Sequence, residues 1–582
     1  MSSYFRFQLN RKSRRFKNRF GIWRRWFINY TDRHIFGGWE KFGQSRWVFI
    51  TLLLVFIVST VGYIQQFQSQ TSRFMKAVPT YGGAYSEALS GQVKGVNPLY
   101  PDNSATIDVT AVVFSGLTRV NSNRKIEPDL ASSWEVSPDK KAYTFKLRSD
   151  LKWHDNEKLD ANDVAFTISR IQNPDTRSPL ASNWNGVSYE VLDDLTIKFT
   201  LPNSYSPFLY NTTVGIIPRH ILEKVRPSLT RTFEFNQKPI GSGPYKLPEI
   251  KEKSNEINLV AFSDYHFKKP YIEDLKFIQY ESEEDYLDGY QKKQISGFTI
   301  NNPETEKKAS QIDQLKINHL SLPAYGALFF NMDSPTVKDV NFRQALSHAT
   351  DKSSIVKNQL DSQATVINYP ILAGYSGFDS TAPKYNYDET KSKAILSGLD
   401  QENLKNTHIR LATLRNSVYE DIAQSIKEMW SKVGVQVDIA SVDLDELQQY
   451  YIRTRNYDVL LYGQDIGYDS DIYAYWHSSQ IKDPGLNISQ YVNADADKLL
   501  EAGRLAKDND YKNGKYAAFL QAWAKDIPAI ILYSPYYNYA QSVEVKGFSA
   551  NKIVEPSNRF YNVQDWYVLT RQSNKVNPDK QN

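Results

Sequence analysis

The sequence contains no cysteine and only 4 methionines among its 582 residues. The lack of cysteine excludes disulfide bonds, thiolate metal sites, cysteine nucleophiles and a lipid-modified cysteine anchor. It leaves the redox compartment of the protein open. The phosphate-binding motif G-x-x-x-x-G-K-[ST] is also absent, as are the zinc motif H-E-x-x-H and the hydrolase motif G-x-S-x-G.

The 8 histidines are scattered singly along the chain, whereas a zinc site needs at least three ligands that converge. We therefore expect a protein without a metal site, a cofactor or catalytic residues. A catalytic triad is defined by geometry and leaves no fixed sequence pattern. An extracellular hydrolase therefore stays open as the alternative from another functional class.

The composition indicates a large globular protein with more than one structural unit. The apolar share is 41%, and 38 Tyr and 11 Trp suit either large cores or a ligand cleft lined with rings. A chain of this length is too long for a single hydrophobic core. No repeat of fixed period is present beyond residue 81, which argues against solenoids and propellers.

Positive charge is concentrated at the N-terminus. Residues 1–46 hold 12 Lys and Arg against Asp32 and Glu40, so the rest of the chain has 58 basic and 63 acidic side chains. A basic arm with interleaved aromatic residues suits nucleic acid, because cations offset phosphate charge. The segment that follows the arm favours a membrane instead, and we expect no nucleic-acid partner.

Residues 47–64 are eighteen consecutive residues without a charge. As a helix they would be about 27 Å long, enough to cross a bilayer. The basic flank predicts that residues 1–46 are cytoplasmic and that the chain beyond residue 64 is outside. We interpret the segment as an uncleaved signal anchor; a cleaved secretory signal and a buried helix are the alternatives. Residues 65–80 are predicted to form a stalk, and residues 568–582 a flexible tail.

Signals for strands and helices alternate beyond the stalk. Residues 143–149 and 195–201 alternate in polarity like half-buried strands, and between them Asp160 is predicted to cap a helix that begins at Ala161. In the second half, strand signals alternate with helical ones, which is the pattern of parallel βαβ units. These strands are predicted at 408–414, 435–441 and 457–463, and these helices at 418–433 and 444–453. Ligands of such sheets bind beyond the carboxyl ends of the strands, which draws attention to the residues after Gly463.

The triplet Trp153-His154-Asp155 precedes the capped helix. Asp and Asn at such a position supply local hydrogen bonds and tolerate left-handed dihedral angles. We therefore interpret the triplet as a corner, with Trp153 filling the space beneath it and His154 as a turn residue and not a base.

The segment that contains this corner, residues 130–168 ("LASSWEVSPDKKAYTFKLRSDLKWHDNEKLDANDVAFTI"), resembles the signature of the peptide/nickel family of extracellular solute-binding proteins. These proteins are the receptors of ABC importers. The family usually has Gly where Asn156 stands, and Asn can adopt the same backbone conformation. Four further segments resemble the family in the same order: 95–117, 238–247, 328–356 and 527–548.

The resemblance implies an α/β fold, a two-lobed periplasmic-binding-protein-like clamp with an additional small domain, here preceded by one transmembrane helix. Lobe I would comprise residues 81–118, 240–325 and 530–567, the small domain residues 119–239, and lobe II residues 326–529. Hinges are expected near Gly241–Gly243 and Leu532, because glycine suits segments whose dihedral angles change. We expect a monomer.

The resemblance also implies a receptor that binds peptides and delivers them to the permease subunits of an ABC importer. In the family, an aromatic residue, two residues of main-chain pairing and an Asp hold the amino end of the ligand, and here these would be Tyr462, Gly463, Gln464 and Asp465. Main-chain pairing suits peptides of any sequence, because all peptides share the backbone. Alternative cargoes are a nickel chelate, an oligosaccharide or a signalling peptide.

Three further residues complete the expected ligand-binding site. Ser90 and Gly91 would offer main chain from the opposing lobe, and Asn331 would either face the cleft or support a strand end. Asp465 could instead cap the loop that follows it. In that case Asp469 and Asp471 would be the rival anchors.

Overall fold

A computed structural model of the protein describes residues 51–63, 75–203, 207–251, 254–400, 408–468, 471–506 and 508–574. The predicted basic arm, most of the predicted stalk, residues 575–582 and Asp469 lie outside these residues. The chain divides into two compact units, one formed by residues 1–78 and 570–582 and the other by residues 79–569.

In the first unit, residues 51–63 are helical and their apolar side chains are exposed. Residues 47–50 and 64 of the predicted membrane segment lie outside the described residues. Within the described ranges, no helix is long and apolar enough to cross a membrane. Strand β1 (Met75–Pro79) pairs with the last strand, β20 (Thr570–Asn574). Residues 570–574 are thus a paired strand and not the flexible tail that the sequence predicted, because their backbone groups bond to β1.

The larger unit alternates strands and helices along its length. Its strands are β2 (Ala84–Ser90), β3 (Thr118–Val120), β4 (Ile126–Pro128), β5 (Ala131–Val136), β6 (Ala142–Leu147), β7 (Ser188–Asp193), β8 (Thr196–Thr200), β9 (Tyr245–Lys246), β10 (Glu256–Ala261), β11 (Asp274–Tyr280), β12 (Gly297–Ile300), β13 (Leu315–Ser321), β14 (Ala324–Phe330), β15 (Ala364–Val366), β16 (His408–Leu414), β17 (Gln436–Val442), β18 (Val459–Asp465) and β19 (Ala529–Ser542). Its α-helices are α1 (Ser104–Val113), α2 (Ala161–Gln172), α3 (Phe208–Asn211), α4 (Arg219–Leu222), α5 (Glu284–Gln291), α6 (Pro303–Ala309), α7 (Val340–Ala349), α8 (Lys352–Gln359), α9 (Glu389–Ser397), α10 (Ser417–Ser431), α11 (Leu444–Glu446), α12 (Tyr473–Trp476), α13 (Ala494–Arg504) and α14 (Asn509–Asp526). A π-helical segment, Leu447–Ile452, continues α11.

One sheet of twelve strands runs through the larger unit. Its main path is β17-β16-β18-β14-β19-β12-β2-β11-β10-β9, and β13 and β15 also pair with β19. The first half of β19 pairs with β14, and its second half pairs with β12 and β13. The two halves of the sheet are therefore joined by β19. A mixed α/β fold with two sheet regions has this arrangement.

The β16–β18 region is a parallel βαβ arrangement, as the sequence predicted. Strand β16 pairs parallel with both β17 and β18. Apolar residues alternate between the two faces of this region: Leu460 packs into a core with Trp476 and Trp523, and Leu461 into a core with Trp430. Burial on both faces is typical of parallel strands, which need helices on either side.

A separate four-stranded sheet, β5-β6-β8-β7, packs against helix α2 in the region predicted as the small domain. Asp160 caps α2 and forms a capping box with Asp163, and Val164 and Ile168 on the helix are buried. The predicted cap and start of α2 are confirmed. Trp153 is fully buried beneath the corner that precedes α2, as expected.

The glycines of the expected hinge, Gly241 and Gly243, pack closely against neighbouring backbone. A Cβ on Gly241 would lie 1.9 Å from the carbonyl oxygen of Val113, and one on Gly243 would lie 2.7 Å from that of Val112. The amide of Gly243 donates to Val113, and His154 bonds to both glycines. Close packing thus accounts for these glycines in this structure, and the hinge expected here stays a prediction.

Candidate functional site

Strand β18 extends beyond its neighbour β16. It pairs antiparallel with β14 along its whole length, but its parallel pairing with β16 ends at Leu461. Among the described residues, no strand pairs with the β16-facing edge of β18 from Tyr462 to Asp465. Such an edge presents backbone N–H and C=O groups to which an extended chain can be added.

A cavity of about 500 Å³ borders this edge. All four residues from Tyr462 to Asp465 line it, together with Tyr475, the π-helical segment and the loop around residue 486. The volume lies in the range of ligand sites, and the lining combines the rings of Tyr462 and Tyr475 with several polar and charged side chains. The structure thus brings together the four residues of β18 that the sequence predicted as a ligand site.

Glycine at position 463 is required by the neighbouring helix. A Cβ at this position would lie 2.6 Å from the hydroxyl oxygen of Tyr419 on α10. Across the β14–β18 pair, Gly326 faces Gly463 in register, and a Cβ there would lie 2.5 Å from the ring of Tyr533. Tyr419 therefore packs directly against the backbone of β18 where it leaves β16, and Tyr533 packs against β14 at the residue opposite.

Asp465 lies at the end of β18 with a fixed side chain. Its Oδ1 accepts a hydrogen bond from the Gly467 amide at 2.7 Å, and its carbonyl oxygen accepts one from the Tyr475 hydroxyl at 2.9 Å. Partial burial raises the pKa of the Asp465 carboxyl, although the Gly467 amide and the Arg124 guanidinium favour its charged form. Among the described residues, no hydrogen-bond donor contacts its second carboxylate oxygen. The bond to Gly467 also matches the loop-capping alternative for Asp465.

Gln464 is held by a residue of the neighbouring strand, because Tyr325 on β14 donates its hydroxyl to the Gln464 Oε1 at 2.6 Å. Tyr325 is itself buried. The side chain of Gln464 is thereby fixed away from the backbone of β18, which leaves the main chain of this residue for other contacts.

Ser90 and Gly91 lie at the carboxyl end of β2. Strand β2 runs parallel to β11, with Ser90 opposite Tyr280. Both residues are exposed, and Gly91 has a φ of +100°, a conformation that favours glycine. They lie in the half of the sheet opposite to β18, at an exposed bend.

Asn331 supports a strand end. Its Nδ2 donates to the carbonyl oxygens of Arg455 and Tyr457 at 3.0 and 2.9 Å, and its Oδ1 accepts from Gln490. The side chain is buried. Since these bonds occupy the amide, the supporting role that the sequence left open is the one the geometry favours.

Asp471 is committed to an internal ion pair. Its Oδ2 lies 2.9 Å from the Nε of Arg504, and its side chain is 4% exposed. A carboxylate that is paired in this way is not available to a ligand, which removes one of the two rival anchors. The other, Asp469, lies outside the described residues.

The His154 corner is structural. The Nδ1 of His154 accepts from the Gly241 amide at 3.2 Å, so its Nε2 donates to the Gly243 carbonyl oxygen at 3.0 Å. Burial lowers the pKa of His154 to about 4, so the imidazole is neutral. Asp155 bonds to His220 at 2.8 Å, and Asn156 has a φ of +75°. These contacts confirm the interpretation of the triplet as a corner, with His154 buried and satisfied.

Sequence reasoning missed the groups that orient the site. Tyr419 and Tyr475 come from helices that follow β16 and β18, and Arg124 comes from the turn between β3 and β4. In the sequence, Arg124 stands in a polar run ("NSNRK") typical of an exposed turn, although it is 8% exposed in the structure. Only the tertiary packing shows that it is buried. Among the described residues, no group of three His, Asp or Glu is arranged to hold a metal ion.

Comparisons with known proteins find a family model and relatives that match this chain. Residues 125–485 match the family model of bacterial extracellular solute-binding proteins, family 5, middle. The chain is 30% identical over 509 residues to the oligopeptide-binding protein AppA of Bacillus subtilis (strain 168), covering 84% of this chain and 92% of AppA. It is 26% identical over 500 residues to the dipeptide-binding protein of Escherichia coli (strain K12), covering 80% of this chain and 91% of that protein. The structure of Bacillus subtilis AppA in complex with a nonapeptide superposes with a TM-score of 0.63 at 28% identity, covering 84% of this chain and 100% of AppA.

Proposed function

The chain belongs to family 5 of the bacterial extracellular solute-binding proteins, and from this premise we propose that it binds peptides in a cleft between two lobes and delivers them to an ABC-type importer. The observation that carries the proposal is the unpaired edge of β18, which borders a cavity and ends in a carboxylate. The relatives named as oligopeptide-binding and dipeptide-binding proteins support the class of cargo.

In this proposal the main chain of the peptide pairs with Gly463 and Gln464, as an added strand beside β18. Backbone pairing gives affinity without reading the peptide sequence, and the side chains of the peptide need only tolerant space. The ring of Tyr462 packs beside the peptide. Ser90 and Gly91 offer main chain from the opposing lobe when the cleft closes.

Asp465 pairs with the α-ammonium group of the peptide. Its second carboxylate oxygen faces a cavity from which the ligand displaces water, and a charge-assisted hydrogen bond is strong in such surroundings. Burial already raises the pKa of this carboxyl in the empty protein. A cationic ligand group reverses that effect, since an opposite charge favours the ionised form.

The clamp consists of lobe I (81–118, 240–325 and 530–567), the small domain (119–239) and lobe II (326–529). Its hinge lies where two chain segments exchange partners: β13 ends at Ser321 on the second half of β19, and β14 begins at Ala324 and pairs with the first half. The pairing of β14 with β19 also shifts register at Gly326. The chain changes its pairing partner between Ser321 and Ala324, and dihedral angles can change in such a segment when the clamp closes.

A signal anchor at residues 47–64 tethers the receptor to the membrane, with residues 1–46 in the cytoplasm. The charge distribution supports this topology. The absence of cysteine allows a direct test: Ser13→Cys should react with a membrane-impermeant maleimide only in lysed cells, and Lys146→Cys also in intact cells. Labelling of Ser13→Cys in intact cells, or a mature N-terminus near Tyr63, would contradict the anchor.

Mass spectrometry of ligands that copurify with the full chain tests the proposed cargo. We expect intact peptides with free amino termini. A copurifying sugar or nickel chelate would assign one of the alternative cargoes instead. Cleavage of an added peptide mixture would show an extracellular hydrolase, and a receptor should return every peptide unchanged.

A further inference from the structure

A small cavity of about 20 Å³ is bordered by the start of α8, the end of α14, the first residues of β19 and the segment around residue 384. Two cationic side chains, Lys352 and Lys384, are part of its lining. No Asp or Glu is among the described residues that line it. A cavity of this size holds one particle about as large as a water molecule.

Lys352, the first residue of α8, contacts only neutral acceptors. Its ammonium group donates to the Asn368 Oδ1 at 3.0 Å and to the Ile367 carbonyl oxygen at 3.4 Å. The carboxylate of the preceding residue, Asp351, instead caps α8 by accepting from the Ser354 amide. Burial lowers the pKa of Lys352 to about 7, and no carboxylate of the described residues opposes this effect. Since an ammonium group has three N–H donors, Lys352 can donate to one more acceptor.

Trp523, near the end of α14, supplies a second donor to the same cavity. It lines the cavity and is 3% exposed, and among the described residues its buried Nε1 has no hydrogen-bond partner. Its ring packs edge-on against Trp476, with ring centroids 5.3 Å apart, and this contact fixes the indole in place. Buried polar groups are nearly always hydrogen-bonded. An unpaired N–H in the lining of a small cavity therefore indicates a small bound acceptor.

We infer that this cavity binds a single halide ion, chloride, held by the Lys352 ammonium and the Trp523 indole N–H. A partly buried cation with only neutral acceptors favours an anion over a neutral water, because charge-assisted hydrogen bonds are stronger in such surroundings. The volume decides which anion fits, since sulfate and carboxylate groups are larger than one water-sized particle. The bound ion would connect α8 with α14 and stabilise the fold. The inference is independent of the proposed peptide binding.

Thermal unfolding of the full chain tests the site, with sodium chloride, sodium bromide and sodium gluconate compared at constant ionic strength. Gluconate is too large for the cavity. We expect chloride and bromide to raise the Tm along a saturating curve. At ten times the Kd of the ion, the unfolding equilibrium constant should fall about elevenfold and the Tm should rise by about 2 °C. No peptide is added, so this result and the test of peptide binding can fail separately.

Three variants identify the groups that hold the ion. Lys352→Met keeps an unbranched apolar side chain without the ammonium group, and it should lose the Tm difference between chloride and gluconate. Trp523→Phe keeps a ring without the N–H, and it should need about tenfold more chloride for the same rise in Tm. The matched control is Lys357→Met, on the same helix, exposed and outside the cavity lining. It should keep the full difference, because general salt effects act on all of these proteins alike.

Crystals of the native protein grown in sodium bromide keep the test valid even if a cavity variant does not fold. We expect an anomalous difference peak within hydrogen-bonding distance of the Lys352 Nζ and the Trp523 Nε1. A water molecule at this position, or equal Tm values of the native protein in chloride and gluconate, would overturn the inference. A bromide peak without a Tm difference would show an adventitious ion only and would overturn it as well. So would an equal loss of the difference in Lys352→Met and Lys357→Met.

Discussion

At the scale of single residues, Asp465 and Asp471 show how a carboxylate in a candidate binding site differs from one in a structural ion pair. The side chain of Asp471, six residues further on, is buried and paired with Arg504, whereas among the described residues the Gly467 amide is the one hydrogen-bond donor to the Asp465 carboxylate. Burial raises the pKa of Asp465, so folding slightly disfavours its charged form. A carboxylate that is incompletely satisfied in the empty protein is therefore prepared for a cationic ligand.

Asp465→Asn should weaken the binding of peptides with a free amino terminus by roughly 2–5 kcal/mol, or thirtyfold to several thousandfold in Kd, because the ligand ammonium loses its counter-ion. N-acetylated peptides should bind the native protein weakly and lose far less on mutation. Calorimetry on the four combinations forms a double-mutant cycle.

A coupling energy near zero would move the role of pairing with the ammonium group to Asp469. The control variant is Asp495→Asn, on the exposed start of α13. Thermal unfolding of the empty variant should show no loss of stability, since the raised pKa means that the charge does not favour folding.

His154 has a structural role, in contrast to Asp465, because the fold requires its imidazole to be neutral. Its pKa is lowered to about 4 from an ordinary value near 6.5, so the unfolded chain binds the proton more tightly. The corresponding stability is complete above pH 6.5 and is lost as the pH falls towards 4, by up to roughly 3 kcal/mol. The difference in urea unfolding free energy between the native protein and His154→Gln should therefore shrink from pH 7 to pH 4.5. A constant difference would show that His154 does not titrate in this range.

At the scale of elements, the candidate site depends on the length difference between β16 and β18. Strand β16 ends at Leu414, and β18 continues four residues beyond its last partner on that strand. Helix α10 then passes close to the exposed backbone, with Tyr419 against Gly463. The helix thus covers one face of β18 while the edge stays available.

Gly463→Ala should weaken peptide binding by about tenfold, because the new Cβ would lie 2.6 Å from the Tyr419 hydroxyl and must displace either the ring or the strand. The double variant Gly463→Ala/Tyr419→Phe removes the clashing hydroxyl and should recover part of the affinity. The control is Gly514→Ala on α14, where a Cβ meets no atom within 4 Å. It should leave Kd unchanged and stabilise the protein by about 0.5–1 kcal/mol in thermal unfolding. Equal losses in both glycine variants would contradict the role of the β18 edge.

The elements also show what sequence patterns determine. The bounds of β16 were predicted to the residue, because a run of alternating apolar residues fills both faces of a buried strand. Both ends of strand β18 were predicted two residues too early. Its last residues, Gln464 and Asp465, are polar and carry no strand pattern in the sequence, but they belong to the strand because they pair with β14. The glycines at 241–243 show a similar limit. Glycine in a sequence indicates either conformational freedom or close contact, and the contacts with Val113 and His154 are visible only in the structure.

At the scale of the whole molecule, the larger unit already carries contacts between the parts proposed as separate lobes. The rings of Tyr210 and Tyr468 stack with centroids 5.7 Å apart, and the Lys140 ammonium donates to the Ala506 carbonyl oxygen. Tyr210 and Lys140 belong to the proposed small domain, and Tyr468 and Ala506 to the proposed lobe II. A peptide that adds bonds to both sides would shift the population towards the closed form.

Closure can be measured directly because the chain has no native cysteine. Spin labels at Lys146→Cys in the small domain and Lys498→Cys in lobe II should report a shorter distance when peptide is added, whereas a control pair within lobe II, Lys393→Cys and Lys498→Cys, should report no change. A hundredfold excess of peptide over its Kd should also stabilise the protein by about 2.7 kcal/mol, because the ligand binds only the folded state.

Replacing Tyr468 with alanine removes the ring stack and should shift the label distances of the empty protein towards longer values. An unchanged distance with peptide confirmed as bound would exclude a clamp, since binding would then occur without movement of the lobes.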